Sequence, residues 1–245
     1  MQPPDTLEIL YRDDRLVAVH KPAGLLVHRS AIDRHETRFA LQMLRDQIGR
    51  AVFPVHRLDK PTSGVLLFAL DAPTARELGA AFEAGAAGKR YVAVVRGYAP
   101  EKQRIDYPLR EEPDPTTDRR ARPDKAARAA ITELQRLAIA ELPFGDGRHA
   151  TSRYSLVEAR PLTGRRHQLR RHLKHIFHPI VGDTTHGDGR HNRLFREHFG
   201  CHRLLLAAVE LRFAHPATGA PVRIAAPPAE DFLCITRQLG WPWNG

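Results

Sequence analysis

His56-Arg57-Leu58-Asp59-Lys60-Pro61-Thr62-Ser63-Gly64-Val65-Leu66-Leu67-Phe68-Ala69-Leu70 is the run of sequence from which the rest of the chain is best read. Its second half is an unbroken apolar stretch of strand length, the mark of a strand buried on both faces. Pro61 to Gly64 form a turn cluster in front of it. Asp59 therefore stands in a loop that a buried strand holds still. An aspartate two residues after an arginine is usually a surface ion pair of little worth. On a loop braced in this way it has the position where reactive side chains are commonly mounted.

Outward from this point the pattern alternates between strands and helices. Residues 7–11 and 16–20 are expected as two short strands joined through Arg12-Asp13-Asp14-Arg15. Leu41, Leu44 and Ile48 recur at helical spacing, which predicts an amphipathic helix over 37–49. Residues 72–85 form a second helix, with Pro73 in its first turn and Gly85 near its end. Strands follow at 89–95 and 153–160, then a basic helix over 165–176 with Leu169, Leu173 and Ile176 on its buried side. Late strands are expected at 204–213 and 221–225, and a closing helix at 230–239. The elements are interspersed without a regular strand–helix–strand period, which favours an α+β fold over a doubly wound parallel sheet. Residues 110–128 are polar, charged and proline-containing, and are expected to form a mobile basic loop.

The 245 residues carry a net charge of +10, and only six of the 38 basic residues are lysine. Arginine presents a planar donor fork that matches phosphate and stacks on bases, and the excess charge favours a polyanionic partner. A GC-rich genome would also raise the arginine content. With no apolar stretch of membrane-spanning length, no signal-peptide pattern and two distant cysteines, Cys201 and Cys234, the expected location is the cytoplasm.

Three blocks then fall in order: His56-Arg57-Leu58-Asp59-x-x-Thr62-Ser63-Gly64, Lys89-Arg90-Tyr91, and Thr163-Gly164-Arg165-Arg166-His167-Gln168-Leu169-Arg170, the last followed by His178-Pro179-Ile180-Val181-Gly182-Asp183. Together they resemble the signatures of the RluA-type pseudouridine synthases, and the resemblance runs from about residue 7 to 239. It implies a single catalytic domain over 1–245 without an N-terminal S4 module, built on a central mixed, largely antiparallel sheet flanked by helices and loops. Residues 25–30, Arg170-Arg171-His172-Leu173 and His186-Gly187-Asp188-x-x-x-Asn192-Arg193 are closest to the branch that modifies uridine 65 of tRNA.

The resemblance also implies roles. Asp59 would be the nucleophile, a carboxylate able to attack C1′ or take the 2′ proton and to stabilise positive character on the sugar. Tyr91 would stack on the target base and take part in proton transfer. Arg170 would pair with Asp59, keeping it ionised and aimed. Arg57 would fill the space left by the flipped nucleotide. Leu169 is read either as a wall of the base pocket or as a core residue of its helix. No cofactor is needed, because the departing uracil is reused. One conspicuous carboxylate argues against a paired-acid glycosidase.

Between Arg160 and Arg203 lie ten Lys or Arg, three acidic residues and eight His. Arg165, Arg166 and Arg171 belong to this candidate RNA-facing surface. His172, His175, His178, His186 and His191 raise the question of zinc, but no HExxH or cysteine partner accompanies them and their neighbours are cationic, so no metal is expected. The expected partner is RNA, most readily tRNA, with the protein acting as a monomer. Two alternatives remain open: the same chemistry on a ribosomal RNA hairpin, or a non-catalytic RNA-binding protein.

Overall fold

The computed structural model describes residues 5–29, 36–110, 126–145, 147 and 149–241. Ten strands and five helices are found among them. In chain order they are β1 (Glu8–Arg12), β2 (Leu16–Lys21), α1 (Ala40–Ile48), β3 (Phe53–Pro54), β4 (Ser63–Ala69), α2 (Ala72–Glu83), β5 (Gly88–Arg96), β6 (Lys102–Asp106), β7 (Ile131–Leu142), β8 (Ser152–Pro161), α3 (Gln168–His175), α4 (Gly189–Phe199), β9 (Leu206–Ala214), β10 (Pro221–Ala225) and α5 (Glu230–Gln238). The strands form one mixed sheet in the order β1-β2-β4-β9-β5-β8-β7-β6, with β10 on β9 and β3 on β4. Among the described strands β4–β9 is the one parallel pair; the other pairings are antiparallel. The α+β architecture read from the sequence is the one observed.

Helices cover both faces of this sheet. Leu66 and Phe68 of β4 and Val17 and Val19 of β2 pack with Ala40 and Leu44 of α1. On the same side, Ala93 and Val95 of β5 and Val157 and Ala159 of β8 pack with Leu169 and Leu173 of α3. Strand alternation sends the neighbouring side chains to the other face. There Val65 and Leu67 meet Leu78 and Phe82 of α2, while Val92, Val94, Ala207 and Val209 meet Phe195 of α4 and Phe232 and Ile235 of α5. Tyr91 packs against both clusters of the α1/α3 face, and so marks the seam between them.

Two details carry β4 to that seam. Gly64 has φ +116°, and a Cβ there would stand 2.0 Å from the carbonyl oxygen of Ala208. Only glycine lets β4 approach β9 this closely. Gly64 and Tyr91 are both in register with Ala208, from opposite sides of β9. The loop before β4 is thereby set beside the start of β5.

Several expectations shift in detail. The basic helix runs from Gln168 rather than residue 165, because His167 takes a left-handed conformation (φ 53°) that ends the preceding turn. Strands β6 and β7 and helix α4 were not expected. The ends of the 110–128 segment are anchored, since Leu109 and Arg128 exchange backbone hydrogen bonds of 2.9 and 3.0 Å; residues 111–125 lie outside the described residues. No described helix is long and apolar enough to cross a membrane.

Candidate active site

Asp59 sits at the head of a tight turn, its carbonyl oxygen accepting from Thr62 N at 3.0 Å. The next carbonyl, that of Lys60, accepts from Gly24 N at 2.9 Å and from the Lys21 ammonium at 3.1 Å. Lys21 is wholly buried on β2 and also donates to the carbonyls of Pro22 (2.9 Å) and Leu25 (2.7 Å). Its three N–H groups thus tie the 22–25 turn to the Asp59 turn. Burial, and then the Arg203 charge, bring its pKa down to about 7, against the opposing pull of Asp59. Arg203 closes the far side, donating to Ser63 Oγ at 2.7 Å and to Asp231 of α5 at 2.6 Å.

The carboxylate of Asp59 meets α3. Arg170 Nη1 donates to Asp59 Oδ2 at 3.2 Å, although the two residues are 111 positions apart. The same guanidinium makes a two-pronged bond to Asp183, Nε to Oδ2 at 2.7 Å and Nη2 to Oδ1 at 2.9 Å. Such a fork fixes orientation as well as distance. Asp183 has no exposed side-chain surface. Burial pushes its carboxyl up, but the Arg170 guanidinium and the N–H groups of His186 and Thr185 outweigh this and hold it below the ordinary carboxylate range. For Arg170, burial opposes the charge and the two aspartates more than restore it, raising its pKa.

Asp183 is itself held from behind. Asn192 of α4 accepts from Gly182 N at 2.7 Å and donates to Asp183 O at 2.8 Å. A Cβ at Gly182 would lie 1.8 Å from the Arg203 carbonyl oxygen, so this turn has room for glycine alone. Gln168 braces the N-terminal end of α3. Its Oε1 accepts from Thr163 Oγ1 (2.7 Å) and Arg165 N (3.0 Å), and its Nε2 donates to Ile131 O (2.9 Å) and Thr132 Oγ1 (3.1 Å). A buried amide with all four bonds made fixes the turn that delivers Arg170.

The remaining expected residues divide in two. Tyr91 faces the seam, half-buried; burial, then the nearby Asp59 charge, push its phenol upward, so it stays protonated at neutral pH. Leu169 is buried among Leu173, Ala93 and Val157. Arg57 is exposed beside the site and close enough to His28 that its charge adds to the burial that lowers the pKa of that imidazole. Arg165, Arg166 and Arg171 lie on the outer side of the α3 turn and helix. Arg165 Nε donates to Ala129 O at 3.0 Å, and Arg171 Nη1 to Arg110 O at 2.8 Å.

Sequence reasoning gave no site role to His167, Asp183 or Lys21, and considered His186 only as a possible zinc ligand. His167 Nε2 is 3.9 Å from Asp59 Oδ2, and its Nδ1 is 3.0 Å from His186 Nε2. Burial, against the pull of Asp59, lowers the His167 pKa. The Gly182-Asp183 pair that closes the block begun by His178-Pro179 was the available signal for Asp183. A lysine in an apolar strand was the signal for Lys21. The other histidines considered as ligands are each engaged elsewhere: His172 with Thr132 and the Tyr107 carbonyl, His175 stacked on the Tyr107 ring, His178 with the Arg96 carbonyl, His191 with Tyr154.

A carboxylate held by a buried arginine, in a seam lined by a protonated tyrosine, accords with what the chain is similar to. The family model described as RNA pseudouridylate synthase matches residues 15–175. The chain belongs to that family. A tRNA pseudouridine synthase C of Vibrio cholerae is 56% identical over 235 residues, covering 96% of each chain. That of Haemophilus influenzae is 52% identical over 235 residues, covering 96% of this chain and 98% of its own. Among solved structures, human RNA pseudouridylate synthase domain containing 4 superposes with a TM-score of 0.70 at 25% identity, covering 96% of this chain and 95% of that one. Its counterpart, domain containing 1, gives 0.69 at 27% identity over 93% and 86%. This pseudouridine synthase therefore has its three motif blocks gathered on one seam of the family fold.

Proposed function

We propose that this chain converts a uridine of tRNA, uridine 65, to pseudouridine, with Asp59 as the nucleophile. The observation that carries the chemistry is the Asp59 carboxylate held by Arg170 at 3.2 Å. The tRNA substrate rests on the relatives that bear the name tRNA pseudouridine synthase C. The isomerisation breaks the C1′–N1 bond and forms C1′–C5, while C5 loses a proton and N1 gains one. Asp59 acts at the sugar, where positive character develops. Arg170, fixed by Asp183, sets the direction of that carboxylate. Tyr91 stacks on the extruded uracil and, as a neutral phenol, has a proton to donate. Arg57, exposed beside the site, enters the gap that base extrusion leaves. Arg165, Arg166 and Arg171 meet phosphates outside the seam. The unbroken sheet from β1 to β6 supports a single catalytic domain, acting as a monomer in the cytoplasm.

The test is a pseudouridine assay on purified tRNA and on 23S ribosomal RNA, with wild type and Asp59→Ala. Product at position 65 of tRNA with wild type and none with Asp59→Ala is expected. Product on ribosomal RNA alone would overturn the substrate, undiminished activity of Asp59→Ala the mechanism, and RNA binding without product the enzyme itself.

A further inference from the structure

Phe177 is 78% exposed, the most exposed large apolar side chain among the described residues. Its backbone is not loose. Phe177 N donates to Lys174 O at 3.0 Å and His178 N to Leu173 O at 2.9 Å, which closes the last turn of α3. The Phe177 carbonyl accepts from Arg96 Nη2 at 3.1 Å, and His178 Nδ1 lies 2.8 Å from the Arg96 carbonyl. The conformation so fixed is left-handed, with φ +65°. Glycine is the residue that ends a helix in this way without strain; a bulky side chain there is an outlier. Phe177 thus costs the fold twice, in backbone strain and in an apolar ring held out to water. Strain of this kind concentrates where function requires it.

The surroundings name the occupant. Arg171, Lys174 and His175 stand at i, i+3 and i+4 on the outward side of α3, and Phe177 follows at its end. Lys174 and His175 are exposed, and the His175 ring stacks on Tyr107 at 3.6 Å. Arg96, which holds the Phe177 carbonyl, is itself paired with Asp188 at 2.6 Å. A cationic stripe that ends in a rigid aromatic is the arrangement that holds phosphates and stacks a base. The stripe also begins next to Arg170, which touches Asp59, and α3 is roughly 12 Å long, so RNA bound in the seam extends over it. One ring is far too small a surface for a stable protein dimer.

We propose that Phe177 is a stacking platform for an unpaired nucleobase of the RNA substrate, with Arg171 and Lys174 on the adjoining phosphates. This rests on the reading of the chain as a tRNA-modifying enzyme and adds a point of substrate recognition outside the seam.

Steady-state pseudouridine formation on tRNA, with wild type, Phe177→Gly and Phe177→Trp, tests it alongside thermal melting. Phe177→Gly is expected to melt at or above wild type, because glycine removes the left-handed strain. Its KM should nevertheless rise about tenfold, the loss of one base–aromatic stack. Phe177→Trp should stay within about twofold of wild type. The salt dependence of tRNA binding should be the same in Phe177→Gly as in wild type, because no phosphate contact is removed. An unchanged KM in Phe177→Gly, or a raised KM that Phe177→Trp shares, would overturn the platform. So would a wild-type dimer that Phe177→Gly dissociates, since the ring then faces a second copy. Failure of wild type to form pseudouridine on any RNA would overturn the enzyme reading instead; tRNA titrations of the same three proteins would still decide the platform.

Discussion

The two sides of α3 do opposite things with the same residue types. On its inner side Arg170 is 5% exposed and spends every bond on two aspartates, Asp59 and Asp183. On its outer side Arg171, partly exposed, donates to the Arg110 carbonyl, and Lys174 is exposed. Adjacent arginines thus differ in environment more than in chemistry. A buried guanidinium in a two-pronged pair is costly to disturb and exact in direction. An exposed one is cheap to disturb and acts through charge at a distance set by salt. Under the proposed function, the inner side governs the rate and the outer side the grip on RNA.

The largest break in this contrast is Asp183→Asn. It leaves the buried Arg170 short of an anion, and a broken buried pair costs about 3–5 kcal/mol of stability. The guanidinium is then free to swing, and a misplacement of about 1 Å can cost on the order of a hundredfold in rate. Urea unfolding and single-turnover pseudouridine formation should show both losses. A variant that loses stability but retains its rate would show that Asp183 supports the fold alone.

A smaller effect sharpens the inner side further. The folded pKa of Lys21, about 7, lies below its unfolded value. Between those values the unfolded chain binds one more proton than the folded one, so stability rises with pH there. Falling pH removes that gain progressively from the unfolded value down to about 7, and below that both states carry the proton and the dependence is flat. Wild type should gain roughly 1 kcal/mol per pH unit between pH 8 and 9 relative to Lys21→Met. Urea unfolding of the pair at pH 7, 8 and 9 measures this. Parallel curves would mean that the three carbonyls around Lys21 keep it fully charged throughout.

Much of this arrangement was legible before any coordinates. The apolar run 65–70 and the turn before it marked β4 and the Asp59 loop, because a strand buried on both faces leaves no ambiguity of face. Arg170 could be matched to Asp59 only by resemblance, since no local pattern links residues 111 positions apart. Strand β7 escaped notice for a physical reason. A β-bulge between Arg136 and Ala138 shifts its register, and Leu137 and Ile139 then face solvent at 45% and 48% exposure. The alternation that would reveal a strand is broken at its middle. Helix α4 was hidden by its charge, although Asp188 at its start and Gly200 at its end are ordinary capping residues. Asp183 was quoted as part of a motif, but its burial against Arg170 depends on Asn192 and Gly182 folding the turn, which no one-dimensional pattern expresses.

The contrast across α3 is tested most directly by Arg170→Lys and Arg171→Ala measured side by side on tRNA, each for binding affinity and for single-turnover rate at saturating RNA. Lysine cannot reproduce the fork. Arg170→Lys should therefore bind nearly as wild type and lose most of its rate. Arg171→Ala should bind more weakly, with a shallower salt dependence, and react at the wild-type rate once saturated. Loss of binding in Arg170→Lys with a normal saturated rate, or loss of rate in Arg171→Ala, would contradict the division between the two faces.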